Sequence, residues 1–266
     1  MKASILSILS ITGLLFLPLA AAGQTADEIV KNALDARGGI EKIKAVRSER
    51  ISGRVSFAQG PEGTFVVELK RPLKMHVEIS IEGQKIVRVY DGKSSGWMIN
   101  PFAENKEAQP LSPEDLRNIS DESDFDGPLV DYKAKGTEIE LASKEKLDDK
   151  PVYRLKLTNK NGDVRFYFID ANTFLLLKWE GMRKTEDQEV PWESFSSDFR
   201  EVQGLKYAFR IDQGSPGEFK QTLTAEKIEI DPPIDDSRFA KPIPQVAADA
   251  LVPPAPPAPA SPPRSD

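Results

Sequence analysis

Apolar and polar residues alternate with period two along much of this chain. The clearest stretch is residues 74–81, where Met75, Val77, Ile79 and Ile81 alternate with His76, Glu78 and Ser80. Successive side chains of a strand point to opposite faces, so this run has one apolar and one polar face. Strand-like runs at Ile51–Phe57, Gly63–Lys70, Lys85–Tyr90 and Gly96–Ile99 surround it, separated by turn signals at Arg71-Pro72, Glu82-Gly83 and Asp91-Gly92. A second series runs through Thr137–Ala142, Val152–Thr158, Asp163–Ile169, Phe174–Trp179, Trp192–Arg200, Leu205–Ile211 and Phe219–Ile230. Asn161-Gly162 is a hairpin turn within it. Short strands spaced by turns predict an antiparallel sheet or barrel.

Helical periodicity is confined to short pieces. Thr25 to Glu28 reads T-A-D-E, which fits a capping box; Ile29, Ala33 and Leu34 then form an apolar stripe that Gly38-Gly39 ends. A short helical piece fits Ile40 to Val46. Ser112-Pro113-Glu114-Asp115 is a second helix start, with serine as cap, proline in the first turn, and Leu116 and Ile119 as a weak apolar face. Residues 122–135 are acidic and irregular, with Phe125, Leu129, Val130 and Tyr132 as apolar anchors.

The two ends differ from the middle. Lys2, the apolar run from Ile5 to Leu19 and Ala20-Ala21-Ala22 have the layout of a secretory signal peptide over residues 1–22, cleaved after Ala22 or Gly23. The alternative is an uncleaved anchor. No cysteine follows the run, so the chain is not itself a lipoprotein. From Lys241 onward, and above all from Pro253 to Pro263, proline and alanine dominate, which predicts a disordered tail over 241–266. One domain over 23–240 remains.

Composition narrows the chemistry. The chain has no cysteine, so an exported fold must stand on its apolar core without disulfides. A formal charge of −6 argues against a nucleic-acid partner. The single histidine, His76, sits on the polar phase of its strand and reads as an ordinary polar-face residue. One histidine and no cysteine leave no zinc or copper site of the usual type. Glu122, Asp124, Asp126 and Gly127 have the spacing of a calcium loop, but Lys133 stands where the closing bidentate glutamate belongs, so a solvated acidic loop is expected. No phosphate-binding glycine loop and no G-x-S-x-G elbow is present. Neither an enzyme nor a cofactor is expected.

The order of Lys70-Arg71-Pro72, Asp91-Gly92-Lys93 and Trp97-Met98-Ile99-Asn100-Pro101-Phe102 resembles the periplasmic outer-membrane lipoprotein carrier (LolA-like) family. The N-terminal helix, Phe166-Tyr167-Phe168-Ile169-Asp170 and Phe239 after Asp235-Asp236-Ser237-Arg238 also fit. The resemblance implies a mainly β (α+β) fold, a curved antiparallel half-barrel whose covering helices enclose an apolar cavity for acyl chains. Phe65, Val67, Leu69, Met75, Val77, Ile79, Ile81 and Trp97 are the candidates to line that cavity. Met75 matches an apolar position at its mouth, and Arg71 matches an arginine that latches the covering helices to the sheet. A guanidinium has five donors, suited to the unpaired carbonyls of helix ends.

The function implied is a soluble, periplasmic, monomeric carrier of lipoprotein acyl chains or another lipid, acting between membrane-bound donor and acceptor proteins without catalysis. The spacing between Asp91-Gly92-Lys93 and Trp97 exceeds that of familiar carriers by one residue, and the acidic segment and the tail are additional. These departures keep a second reading open, a non-transporting binding or sensor module of the envelope. A hydrolase without a recognisable motif is the third. The export reading is checked by intact mass: the exported protein is expected to begin at Gly23 or Gln24, and retention of Met1 would make the segment an anchor.

Overall fold

The computed structural model describes residues 24–184 and 188–242. The expected signal segment, and all of the expected tail after Pro242, lie outside the described residues. The helix α1 (Ala26–Arg37) opens on the expected capping box: Thr25 Oγ1 accepts from the Glu28 amide at 3.2 Å, and the Glu28 carboxylate accepts from the Thr25 amide at 2.8 Å. It ends at Gly38, with φ 130°, where a β-carbon would lie 2.4 Å from the Gly204 carbonyl oxygen. Glycine is required there by both backbone angle and space. The short helix α2 (Ile40–Ala45) follows.

Six strands come next: β1 (Ser48–Phe57), β2 (Gly63–Lys70), β3 (Lys74–Ile81), β4 (Gln84–Tyr90), β5 (Gly96–Ile99) and β6 (Gln109–Pro110). Helix α3 (Pro113–Glu122) is capped by Ser112, whose hydroxyl accepts from the Asp115 amide. Seven strands complete the order: β7 (Glu138–Leu147), β8 (Lys150–Thr158), β9 (Val164–Asp170), β10 (Leu176–Lys184), β11 (Glu189–Val202), β12 (Leu205–Ser215) and β13 (Glu218–Ile230). A 3-10 turn, Asp236–Phe239, ends the ordered elements described.

All thirteen strands form one antiparallel sheet in the order β6-β5-β4-β3-β2-β1-β13-β12-β11-β10-β9-β8-β7. It is two meanders, β1–β6 and β7–β13, joined where β1 pairs with β13. β6 and β7 lie at opposite ends of the order, so the sheet is an open half-barrel with helices on one face. Register shifts at Ser52/Gly53, Leu141/Ser143, Leu176/Lys178 and Gln213/Gly214 supply the local bends that curvature needs. One of them explains a difference from the sequence reading. The strand expected to stop at Ala142 runs on to Leu147, because the shift at Leu141/Ser143 breaks the period-two alternation without breaking the strand.

Three apolar clusters of the concave face lie beneath helices. Under α1, Ile29, Val30 and Ala33 pack on Leu155, Leu157, Tyr167 and Ile169. Under α2, Ile43 and Val46 pack on Leu205 with Val130 from the irregular segment. Under α3, Ile119 packs on Leu69, Met75 and Tyr90. A fourth cluster lies on the opposite, convex face, where Phe239 and Ile234 cover Val89.

Candidate functional site

Strand register determines which side chains share the concave face. Leu69 pairs with Met75 and Met75 with Tyr90; Val67 pairs with Val77 and Val77 with Arg88; Phe65 pairs with Ile79 and Ile79 with Ile86. Directly paired residues point to the same side of a sheet. Seven of the eight cavity candidates, Phe65, Val67, Leu69, Met75, Val77, Ile79 and Ile81, therefore lie on one face. Trp97 does not join them. It pairs with Val89, which pairs with His76, and it packs with Val89 beside Phe239 on the convex face.

The seven fall into two groups. Val67, Leu69, Met75 and Val77 belong to the cluster beneath α3, with Leu116 and Phe125 above them. Met75 is thus a buried contact of Ile119. This part of the face is filled by side chains. Phe65, Ile79 and Ile81, with Ile86, continue the apolar rows farther along the strands and belong to none of the helix-packed clusters. Ile79, Ile81 and Ile86 are half-buried. An apolar strip therefore extends out from beneath the covering elements. A separate open depression, lined by Arg47, Ser48, Lys70 and the 231–235 segment, is on the convex side.

Arg71 leaves the end of β2 and meets the cover. Its Nε donates to the Val46 carbonyl at 2.5 Å and one terminal nitrogen to the Ile43 carbonyl at 3.1 Å, both at the C-terminal end of α2. The two terminal nitrogens also donate to the two Asp126 carboxylate oxygens at 2.7 Å each. The guanidinium lies 4.9 Å from the centre of the Phe125 ring. Arg37 from α1 donates to the Asp126 and Phe125 carbonyls at 2.6 and 2.8 Å. Below them Glu49, buried on β1, accepts from the Tyr207 hydroxyl; burial raises its pKa above the usual carboxylate range, and the Tyr207 bond and Arg37 oppose that. The irregular segment is thus clamped between sheet and helices through Asp126. Asp124 is held by Lys135 at 2.5 Å. These acids are structural partners of named cations.

A second set of ion pairs holds α3. Glu122 accepts from Arg88 of β4 at 2.7 Å and from Arg183 of β10 at 3.4 Å, and Asp121 accepts from Arg165 of β9 at 2.8 Å. Burial raises the Asp121 pKa, against the opposing pull of Arg165. α3 therefore spans the trough between the two meanders. Sequence reading missed these arginines, although a signal was present. Arg88 shares a phase with Ile86 and Tyr90, Arg165 with Tyr167 and Ile169, and Arg183 with Trp179. A charged residue in the apolar phase of a strand announces a partner across the core.

On the convex face His76 is buried, contrary to its reading as an ordinary polar-face residue, because the 3-10 turn covers it. Glu68 beside it accepts from Arg50 and Arg238 at 2.8 and 2.7 Å, and the Arg238 guanidinium also lies 3.2 Å from His76 Nδ1. Burial first, and the Arg238 charge second, lower the His76 pKa to about 4. Among the described residues no cluster of His, Asp and Glu side chains is placed to hold a metal ion, and no helix is long and apolar enough to cross a membrane.

The architecture is that of LolA-like proteins. It is similar to a LolA superfamily protein from Nitrosomonas europaea (TM-score 0.52, 16% identity, 82% of this chain and 98% of that one). It is also similar to an outer membrane lipoprotein-sorting protein domain from Vibrio parahaemolyticus (TM-score 0.53, 10% identity, 81% and 96%). A DUF1329 family protein from Desulfovibrio piger matches equally well (TM-score 0.54, 15% identity, 79% and 97%). Residues 110–173, which carry α3 and β7–β9, match the model of the PepSY family, the peptidase propeptide and YPEB domain. No curated protein matches the sequence.

His76 makes stability depend on pH. Its folded pKa lies below the ordinary histidine value of 6.5, so the folded state binds the proton more weakly. The stability it contributes is complete above 6.5 and is lost as pH falls toward about 4. A depression of this size corresponds to about 3 kcal/mol. The urea midpoint of the wild type is expected to fall between pH 7 and pH 4.5 more steeply than that of His76→Asn; equal slopes would remove His76 as the cause.

Proposed function

We propose that this protein is an exported, non-catalytic binder of acyl chains, sheltering them on the concave face of the half-barrel and moving lipoproteins or lipids between envelope membranes. The observation that carries this reading is the apolar strip. Val67, Leu69, Met75 and Val77 lie beneath α3 and Phe125, while Phe65, Ile79 and Ile81 continue the same rows beyond the helix-packed clusters. Rows of apolar side chains that are only partly covered suit a chain that enters along them. Each methylene transferred from water is worth about 0.8 kcal/mol, so one acyl chain supplies its own affinity without a reacting group. The LolA-like fold and the lipoprotein-sorting domain among its structural neighbours support the same reading.

Opening requires the cover to yield. Arg71 ties α2 and Asp126 to the sheet edge, so it sets the balance between closed and open forms. In this reading a chain displaces Ile119 and Phe125 from Leu69 and Met75, enlarging the space that these side chains fill in the closed state. Mass spectrometry of organic extracts from the natively exported protein is the direct test: bound lipid or lipoprotein is expected. Binding of a protein partner with no lipid in any extract would favour the non-transporting module.

The latch is tested by Arg71→Leu combined with Asp126→Asn, so that no carboxylate is left unpaired. Loss of charge-assisted bonds worth about 1.5–3 kcal/mol each shifts the closed population by an order of magnitude or more. Release of a fluorescent acyl probe is expected to accelerate at least about tenfold, while the urea midpoint changes little because the sheet keeps its apolar contacts. Unchanged release from a folded double variant would reduce Arg71 to a strand-end charge.

A further inference from the structure

We infer that Arg88, Arg165 and Arg183 form an anionic headgroup site beside the apolar strip, where its covered part gives way to its open part, occupied in the closed state by the α3 carboxylates. The inference rests on the acyl-binding reading above and names the class of amphiphile, an acyl chain bearing a carboxylate or a phosphate.

The three guanidiniums come from both meanders and converge on two adjacent carboxylates. Arg88 and Arg183 both reach Glu122, at 2.7 and 3.4 Å, and Arg165 reaches Asp121 at 2.8 Å. All three side chains are about two-thirds buried. Two stand against indole rings: Arg165 lies 5.4 Å from the centre of Trp179 and Arg183 5.1 Å from that of Trp192. Gly181 is paired with both Arg165 and Trp192, and a β-carbon there would meet Arg165 Cγ at 3.1 Å. The bare glycine leaves room for the arginine to lie across the strand. Planar guanidiniums held against aromatic faces are pre-organised to bind carboxylate or phosphate in a bidentate way.

The occupant of this basic cluster is poorly suited to its own helix. Asp121 and Glu122 fall in the last turn of α3, where no basic residue is present. Carboxylates there meet the negative end of the helix dipole. They are held by the arginines and not by the helix, so an outside anion competes on favourable terms. The open part of the apolar strip begins beside this cluster. Arg88 pairs with Val77, and the next row out is Phe65, Ile79 and Ile86, beyond the cluster that α3 covers. A chain lying on that strip brings its charged end to Arg88. Among the described residues, Lys184 is paired with Asp163 and Glu189, and Arg117 with Glu114.

The experiment measures binding by intrinsic tryptophan fluorescence and probe displacement on the full exported protein. The ligands share one acyl chain: oleate, oleoyl lysophosphatidylglycerol, oleoyl lysophosphatidylcholine and oleyl alcohol. At least one of the two anionic ligands is expected to bind about tenfold tighter than the other two, and the pair separates a carboxylate from a phosphate headgroup. Arg165→Gln with Arg183→Gln is expected to bring that ratio within about twofold. Asp121→Asn with Glu122→Gln, which frees the arginines, is expected to increase it, and this variant decides the matter if the arginine variant does not fold. Equal affinity for charged and neutral ligands, or a ratio unmoved in the folded variants, overturns the headgroup site. Failure of all four ligands to bind overturns the acyl-binding reading instead.

Discussion

Arg71 sits where three parts of the molecule meet. A sheet of thirteen strands with one apolar face must cover that face, and short helices have little stability of their own. α2 has six residues, and the segment after α3 has no regular structure through residue 136. One guanidinium satisfies two carbonyls at the end of α2, neutralises Asp126 and stacks near Phe125. Without it those carbonyls and that carboxylate would need new partners at the same time. The cover is therefore ordered by contact with the sheet and not by its local sequence.

The attachment of α3 divides between apolar and ionic contacts. Ile119 is fully buried against Leu69 and Met75, which supplies an area-proportional term insensitive to salt. Its ion pairs to Arg88, Arg165 and Arg183 are about one-third exposed, so each is partly weakened by screening and counts for less. A helix held by one buried apolar anchor, a half-buried neighbour and several exchangeable charges is easier to slide than one buried all round. That division is what a cover over a transient ligand requires. It also makes the three arginines available to something other than α3.

The convex face solves a different problem. Val89 and Trp97 would expose an apolar patch there, and the chain returns after β13 to cover it with Ile234 and Phe239. Charges surround this patch: Arg238 bonds to Glu68, and Lys70 and Lys74 to Asp236. His76 is caught between them and loses its proton affinity through burial. The face opposite the proposed binding strip is thus covered and tied by ion pairs.

Period-two alternation in the sequence determined the strands, and with them an antiparallel sheet with an apolar face. T-A-D-E and Ser112-Pro113 marked two helix starts correctly because capping is a local hydrogen-bond matter. The sequence also placed Arg71 at a strand end, from which a long side chain can leave the sheet. Other features depended on residues far apart in the chain. Trp97-Met98-Ile99 is apolar without alternation, so no local rule assigns Trp97 to a face; its pairing with Val89 puts it on the convex side. The pairing of β1 with β13 joins residues about 175 apart and makes one sheet of two meanders. The acids Glu122, Asp124 and Asp126 read as a solvated loop because their partners, Arg88, Arg183, Lys135 and Arg71, lie elsewhere in the chain. Local periodicity reports which side of a strand is apolar. Only the register of the assembled sheet decides which charges that side brings together.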